Sequence, residues 1–126
     1  MKVVRELGRL CLSALFILSG YQAVKDPSYP AKKAKEELDL PDPVTAAKAN
    51  GTAMMLAGSA IALNMWTRAA EFVLALCLIP TTLAGHAFWK ERDPQQRTQQ
   101  KIHFEKNLAL FGALLLLMTI RPSKRR

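Results

Sequence analysis

The sequence predicts an all-α protein: an antiparallel bundle of four transmembrane helices that forms one membrane domain over residues 1–126. Four stretches without a charged residue lead to this prediction. They cover 15, 19, 18 and 14 residues, at positions 10–24, 49–67, 72–89 and 107–120. Because ~20 helical residues cross a hydrocarbon core of ~30 Å, each stretch can span a bilayer once its interfacial flanks are counted.

Two other interpretations of these stretches are less consistent with the pattern. A soluble four-helix bundle needs a polar face on every helix, but residues 10–24 and 108–120 are apolar on all sides when written as helices. A cleaved signal peptide would also begin with basic residues such as Lys2 and Arg5. We favour a retained first helix, because no disulfide-rich secreted domain follows it.

The first predicted helix covers residues 3–24, and a charged loop follows at 25–42. The centre of this loop, AKKAKEELDL, has Lys and Glu residues at i,i+4 spacing and can form a short surface helix. The second helix is predicted over residues 43–65. Asp42 is its predicted N-cap, and Pro43 occupies the first helical position, where a missing backbone N–H costs nothing.

The third helix is predicted over residues 68–89, with Thr67 as its N-cap. Pro80 should kink this helix, because proline lacks a backbone donor. A charged, glutamine-rich loop at 90–101 then leads to a fourth helix over residues 102–120.

The orientation of the chain in the membrane is indicated by dense basic clusters at both chain ends, at residues 2–9 and 121–126. Raw counts of basic residues do not separate the two sides of the membrane, but the unbalanced terminal clusters favour cytoplasmic termini. We attribute the net charge of +8 to attraction toward anionic lipid headgroups, since basic residues flank the predicted spans. Nucleic-acid binding is not indicated, because no basic face with interleaved aromatic residues is present.

Two long connections between four antiparallel helices must lie at the same end of the bundle. That end collects five residues that we predict as a candidate binding patch: Gln22, Lys25, His86, Trp89 and Asn107. At ~1.5 Å per helical residue, His86 and Asn107 lie at similar depths, and His86 and Trp89 share one stripe of their helix. Such a patch can hold a quinone headgroup, an anionic ligand or a loop of a partner.

The same residue types also collect at any membrane–water interface, so a simple anchoring role for the patch is the alternative. His86 and His103 without nearby carboxylates or thiolates make a poor metal-ligand set, and we predict no metal site. Cys11 and Cys77 lack a C-x-x-C arrangement and are interpreted as small hydrophobic residues. No self-contained catalytic set is visible, so we predict no catalytic residues and consider an enzyme the least supported class.

Two segments carry a resemblance to a known family. RELGRLCLSALFILSGYQAVKDP (5–27) resembles the opening of the DoxX family, whose first helix ends in Ser-Gly followed shortly by Lys. TTLAGHAFWKERDPQQRTQQKIHFEKNLALFGALLLL (81–117) resembles its second signature, in which a His-bearing helix end leads to a Phe-x-Lys-Asn-Leu-Ala-Leu-x-Gly helix. The order and spacing of the two segments carry this resemblance, since each motif alone is weak.

The resemblance implies a multi-pass protein of the bacterial plasma membrane, and some family members are associated with quinone-linked oxidoreduction or with oxidant-defence complexes. It supplies no family-wide set of catalytic residues. Our first expectation is an accessory or scaffold subunit of a membrane redox complex, with a quinone as the candidate cofactor and the lipid bilayer and membrane proteins as partners. The alternative is a non-redox interaction or assembly protein that recruits partners through its charged loops.

Overall fold

A computed structural model describes residues 1–120, and all the regular structure in this range is helical. In chain order the elements are α1 (Lys2–Lys25), α2 (Ser28–Leu38), α3 (Pro43–Ala62), α4 (Thr67–Gly85), a 3₁₀ turn (Phe88–Lys90) and α5 (Pro94–Thr119). The prediction of an all-α fold is confirmed. The basic tail 121–126, which entered the orientation prediction, lies outside the described residues.

Among residues 1–120, three segments are long and apolar enough to cross a membrane: α1, α4 extended to Thr67–Lys90, and α5. Many of their large apolar side chains are exposed, among them Leu18, Leu76 and Leu116. Exposed apolar surface of this kind suits a lipid environment. α3 has 20 residues but is rich in alanine, glycine and hydroxyl side chains, which lowers its apolar character and favours close helix packing.

α3 lies at the centre of the packing. α1 packs along one side of α3, α4 packs against α3, and α5 packs against α4. α2 crosses α3 and α4 at one end, where its Ala31 and Ala34 are buried. α1 and α5 form no extended contact with each other, so the four long helices make an open row rather than a closed ring.

The core runs through this row. Phe16 of α1, Ile61 of α3, Leu74 of α4 and Leu114 of α5 are almost completely buried. Large aliphatic and aromatic side chains from all four long helices therefore contribute to the hydrophobic packing of the molecule.

The charged segment 25–42, predicted as a loop, contains an 11-residue helix, α2, at the place where the charge spacing allowed one. Its start is set by Asp26, whose carboxylate accepts bonds from the backbone N–H and the hydroxyl of Ser28, at 3.2 and 2.6 Å. Its end is set by Asp39, which adopts a left-handed conformation with φ 50°. The two buried alanines give the helix a packing face that charge spacing alone does not reveal.

The fourth predicted helix was placed too late in the chain, because α5 begins at Pro94 rather than at residue 102. The Asp93 side chain accepts a 3.3 Å hydrogen bond from Gln96 N, and Pro94 takes the first helical position. Most of the predicted 90–101 loop is therefore helical. An N-cap aspartate followed by proline starts α5 in the same way as Asp42 and Pro43 start α3.

The turns around α4 also differ from the sequence prediction. α3 ends at Ala62 instead of residue 65, because Asn64 and Trp66 take left-handed conformations with φ 57° and 46°. Thr67 is the first residue of α4 rather than its N-cap. At the other end, α4 stops at Gly85 instead of residue 89, and the 3₁₀ turn follows.

Candidate functional site

A cavity of about 580 Å³ lies at the end of the molecule where α2 crosses the long helices. α2 covers it, the last turns of α1 and α4 form two of its walls, and the first turns of α3 form another. Its volume falls in the range of ~300–1,000 Å³ typical of small-molecule sites.

The cavity lining is mainly apolar with a few convergent polar groups. Leu38, Met54 and Pro80 are among the apolar residues. The polar uncharged residues and the histidine are Ser19, Gln22, Tyr29, Asn50, Thr81 and His86. This combination is typical of sites that enclose an apolar ring and fix its orientation through a few hydrogen bonds.

The α2 cover is held by aspartates at its connections to α1 and α3. The hydrogen bonds from Ser28 lower the pKa of the Asp26 carboxyl below its ordinary value of 3.8. Asp42 accepts a 3.3 Å bond from the backbone N–H of Thr45, and this bond lowers the pKa of Asp42 in the same direction. Both carboxylates are therefore charged at neutral pH and can terminate the chain turns on either side of α2.

α2 is also tied to the far wall of the cavity. The Tyr29 hydroxyl donates a 3.3 Å hydrogen bond to the carbonyl of Gly85 at the end of α4. Lys90 in the 3₁₀ turn forms an ion pair with Glu37 near the end of α2. These two contacts connect the cover to the turn that follows α4.

Two hydrogen-bonded groups fix polar side chains in the cavity wall. In the first, the Asn50 amide donates to the Thr81 hydroxyl at 3.0 Å, joining α3 to α4 beside Pro80. In the second, His86 Nδ1 lies 2.7 Å from Gln100 Oε1, joining the end of α4 to α5. The His86 ring also stacks on His103, with 5.1 Å between ring centroids.

The structure separates the five residues of the predicted patch. Gln22 and His86 both line the cavity. Lys25 does not line it, and its exposed ammonium lies 5.9 Å from the Tyr21 ring centroid. Gln22 and His86 are therefore brought together, whereas Lys25 lies at the same end of α1 but outside the cavity.

Trp89 and Asn107 lie outside the cavity. Since α4 stops at Gly85, Trp89 sits in the 3₁₀ turn and no longer follows His86 on a helical stripe; it makes edge contacts with Phe88 and Phe104. Asn107 is buried in a separate groove of about 160 Å³ between α4 and α5.

The predicted patch omitted four residues that organise the site: Tyr29, Asn50, Thr81 and Gln100. Asn50 was noticeable in the sequence as a polar residue within an uncharged stretch, and Thr81 as the residue after Pro80. No sequence signal identifies Tyr29 or Gln100, because their roles depend on α2 folding back and on α5 starting early. Within residues 1–120, no three His, Cys, Asp or Glu side chains converge as a metal site would require.

A model of the DoxX family matches residues 5–87. This range includes α1 from residue 5 onward, α2 to α4, and every residue that lines the 580 Å³ cavity. The match ends before α5, so it does not extend to the FEKNLALFG segment that contributed to the resemblance. No curated protein and no solved structure matches the chain.

Proposed function

The chain belongs to the DoxX family, and from this premise we propose that it is an integral membrane subunit that binds a quinone headgroup in its α2-covered cavity. In this role it serves as an accessory or scaffold subunit of a membrane redox complex. The cavity carries the proposal, because it joins a largely apolar enclosure of adequate size to a few oriented polar groups.

The proposal includes a four-span topology in a bacterial plasma membrane, with both termini in the cytoplasm. α1, α4 and α5 have the length and apolar character of spans. α3 packs between α1 and α4 and shares their core through Met54 and Ile61. A helix enclosed in this way needs less lipid-facing apolar surface, so we propose that it crosses the membrane with its neighbours.

The residues of the cavity fit a quinone headgroup. Asn50 and His86 would contact its polar oxygens, and Leu38 and Met54 would contact its ring. A bound quinone would supply the electron-accepting chemistry. The chain itself would bind and orient the ring, and α2 would shield one side of it from water.

Calorimetric titration of the purified protein in mild detergent with a short-chain benzoquinone, oxidised and reduced, tests this proposal. We expect saturable binding of at least one form, and a Kd raised about tenfold in His86→Ala or Asn50→Ala, equal to about 1.4 kcal/mol. Asn107→Ala is the matched control, because Asn107 lies in a different groove. Failure of both forms to bind, or an equal loss in all three variants, would refute the proposed site.

A second candidate function is partner recruitment without redox chemistry, and the start of α5 favours it. Residues 92–99 are all exposed and contain charged and glutamine side chains. A polar helical extension of this kind is available for contacts outside the membrane. If proteins that copurify with the wild type are still retained after residues 95–99 are changed to alanine, the result would argue against this function.

A further inference from the structure

Building on the proposed function, we infer that the cavity selects the reduced, hydroquinone form of its ligand over the oxidised quinone. The selection arises because two cavity-lining side chains, His86 and Asn50, are fixed so that each presents a hydrogen-bond acceptor. A hydroquinone hydroxyl can donate to an acceptor, whereas a quinone carbonyl can only accept.

The first acceptor follows from a chain of hydrogen bonds that ends on the backbone of Gly85. A carbonyl oxygen can only accept, so the Tyr29 hydroxyl at 3.3 Å donates to it. The Tyr29 oxygen is then the acceptor for Gln100 Nε2, also at 3.3 Å. This directs Gln100 Oε1 toward His86, and the 2.7 Å contact requires the proton to be on His86 Nδ1.

With its proton on Nδ1, a neutral His86 ring carries a lone pair on Nε2. Nε2 has no hydrogen-bond partner among residues 1–120. It is also not among the fully buried, unpartnered side-chain atoms of that range, so a ligand can reach it. His103 stacks on the ring, so positive charge on both imidazoles would be opposed by repulsion. Nε2 is therefore the polar atom that His86 can offer to a ligand, and it offers an acceptor.

The second acceptor follows from a shorter chain of the same kind. The Thr81 hydroxyl donates a 2.8 Å bond to the carbonyl of Cys77, one turn earlier in α4. Its oxygen accepts from Asn50 Nδ2 at 3.0 Å, and the same amide nitrogen lies 3.6 Å from Met54 Sδ. Asn50 Oδ1 is left without a partner in the described part of the chain, and it is again an acceptor.

The other polar groups of the cavity do not reverse this preference. The Ser19 hydroxyl and the Gln22 amide can each donate or accept. Of the two charged residues in the lining, Asp26 can only accept and Lys33 can only donate, so neither form is favoured by the pair. Asp26 already accepts from Ser28, and Lys33 forms an ion pair with Glu36. The fixed groups, Asn50 and His86, therefore decide which form the cavity favours.

Affinity for the two forms of one short-chain benzoquinone, kept reduced or oxidised, tests the inference. We expect wild-type protein to bind the hydroquinone about tenfold more tightly than the quinone. Gln100→Ala should reduce this ratio toward one, since His86 can then carry its proton on either nitrogen. Gln100→Glu should keep the ratio, because its carboxylate still accepts from Nδ1, and Gln99→Ala is the matched control on an exposed neighbour.

The outcomes separate this inference from the proposed function. Equal affinity for both forms, or tighter binding of the quinone, would overturn the selection while leaving the quinone site in place. Absence of binding by either form would overturn both. An undiminished preference in Gln100→Ala would show that Gln100 does not position His86, and would overturn the selection through a fixed His86 tautomer.

A spectroscopic measurement examines the histidine without any ligand. Two-bond ¹⁵N–¹H correlation spectra of the detergent-solubilised protein at pH 8 report which imidazole nitrogen carries the proton. The protein has two histidines, and His103→Phe assigns their signals while keeping an aromatic ring beside His86. We expect the Nδ1–H tautomer for His86; the Nε2–H tautomer would overturn the inference.

Discussion

At the scale of single residues, two glycines bring the backbones of α1 and α3 into close contact. A Cβ placed on Gly20 of α1 would lie 2.4 Å from the carbonyl oxygen of Gly51, and one on Gly51 would lie 2.7 Å from that of Gly20. Both neighbours are rigid backbone atoms. The α1–α3 contact therefore requires the absence of side chains at both positions, as in other membrane helix pairs joined through small residues.

Alanine at either glycine should destabilise the protein. We expect Gly20→Ala and Gly51→Ala each to lower the free energy of unfolding by about 1–3 kcal/mol, since overpacked cores lose stability in this range. Gly112→Ala is the control, because nothing lies within 4 Å of a Cβ at that position. Reversible unfolding in mixed micelles with increasing SDS measures these differences. A similar change in all three variants would contradict the close approach.

The candidate site shows which residue-level features could be predicted from the sequence. Counting residues along the apolar stretches put Gln22 and His86 at one end of the bundle, because position along a helix depends only on its rise, and both residues line the cavity. It gave no direction around the helix, so Lys25 was included although its side chain does not line the cavity. Trp89 was misplaced because α4 ends four residues before the apolar stretch does.

At the scale of helices, two aspartate–proline pairs start α3 and α5 in the same way. The pair at Asp42 was recognised because an uncharged stretch follows soon after it. The pair at Asp93 was overlooked because seven polar residues separate Pro94 from the next aliphatic residue, Ile102, so membrane hydropathy gave no sign of a helix. Capping chemistry is local and could have been recognised at both places.

The same reasoning explains why α2 and its cavity were only partly predictable. Charge spacing indicated a short helix, but its docking depends on Ala31 and Ala34, which have no distinguishing feature in the sequence. Alanine pairs become packing surfaces only when a specific neighbour approaches. The cover over the cavity is thus a tertiary feature, and its existence could not be predicted from local sequence.

The Asp42 cap makes the stability of α3 dependent on pH. The folded-state pKa of Asp42 is lowered by its hydrogen bond from Thr45, so the charged form stabilises the folded chain. This contribution is complete above the ordinary value of 3.8 and is lost as the pH falls through the lower folded-state pKa. Asp42→Asn keeps a capping oxygen that does not titrate.

We therefore expect the difference in melting temperature between wild type and Asp42→Asn to be constant from pH 6 to about pH 5. Below pH 4 the wild type should lose stability relative to the variant. Thermal unfolding in a non-ionic detergent at pH 6, 5, 4 and 3 measures this difference, and other acidic groups cancel because both proteins contain them. Parallel curves down to pH 3 would show that Asp42 does not stabilise the folded state through its charge.

At the scale of the whole molecule, the helices form an open row with a cover at one end. α3 packs on two other long helices, α1 and α4, and on α2. α4 holds a similar position between α3 and α5. The 580 Å³ cavity lies where three of these helices meet α2, so the site depends on the central pair more than on α5.

The number of crossings decides on which sides of the membrane the two ends of the chain lie. If only the three segments of clear span character cross, the crossings are odd and the termini lie on opposite sides. If α3 also crosses, as we propose, the crossings are even and both termini lie on the same side. Whether α3 crosses the membrane therefore determines whether the two termini lie on the same side.

We expect a green fluorescent protein fused after residue 126 to fluoresce, and alkaline phosphatase at the same place to be inactive, because we propose that this end lies in the cytoplasm. A short epitope tag at the amino terminus should be protected from protease in intact spheroplasts. A tag inserted at Gln96, in the exposed start of α5, should be cleaved and serves as the control for access. Termini on opposite sides would show that α3 does not span the membrane, whereas termini together on the outer side would keep the four spans and reverse the orientation.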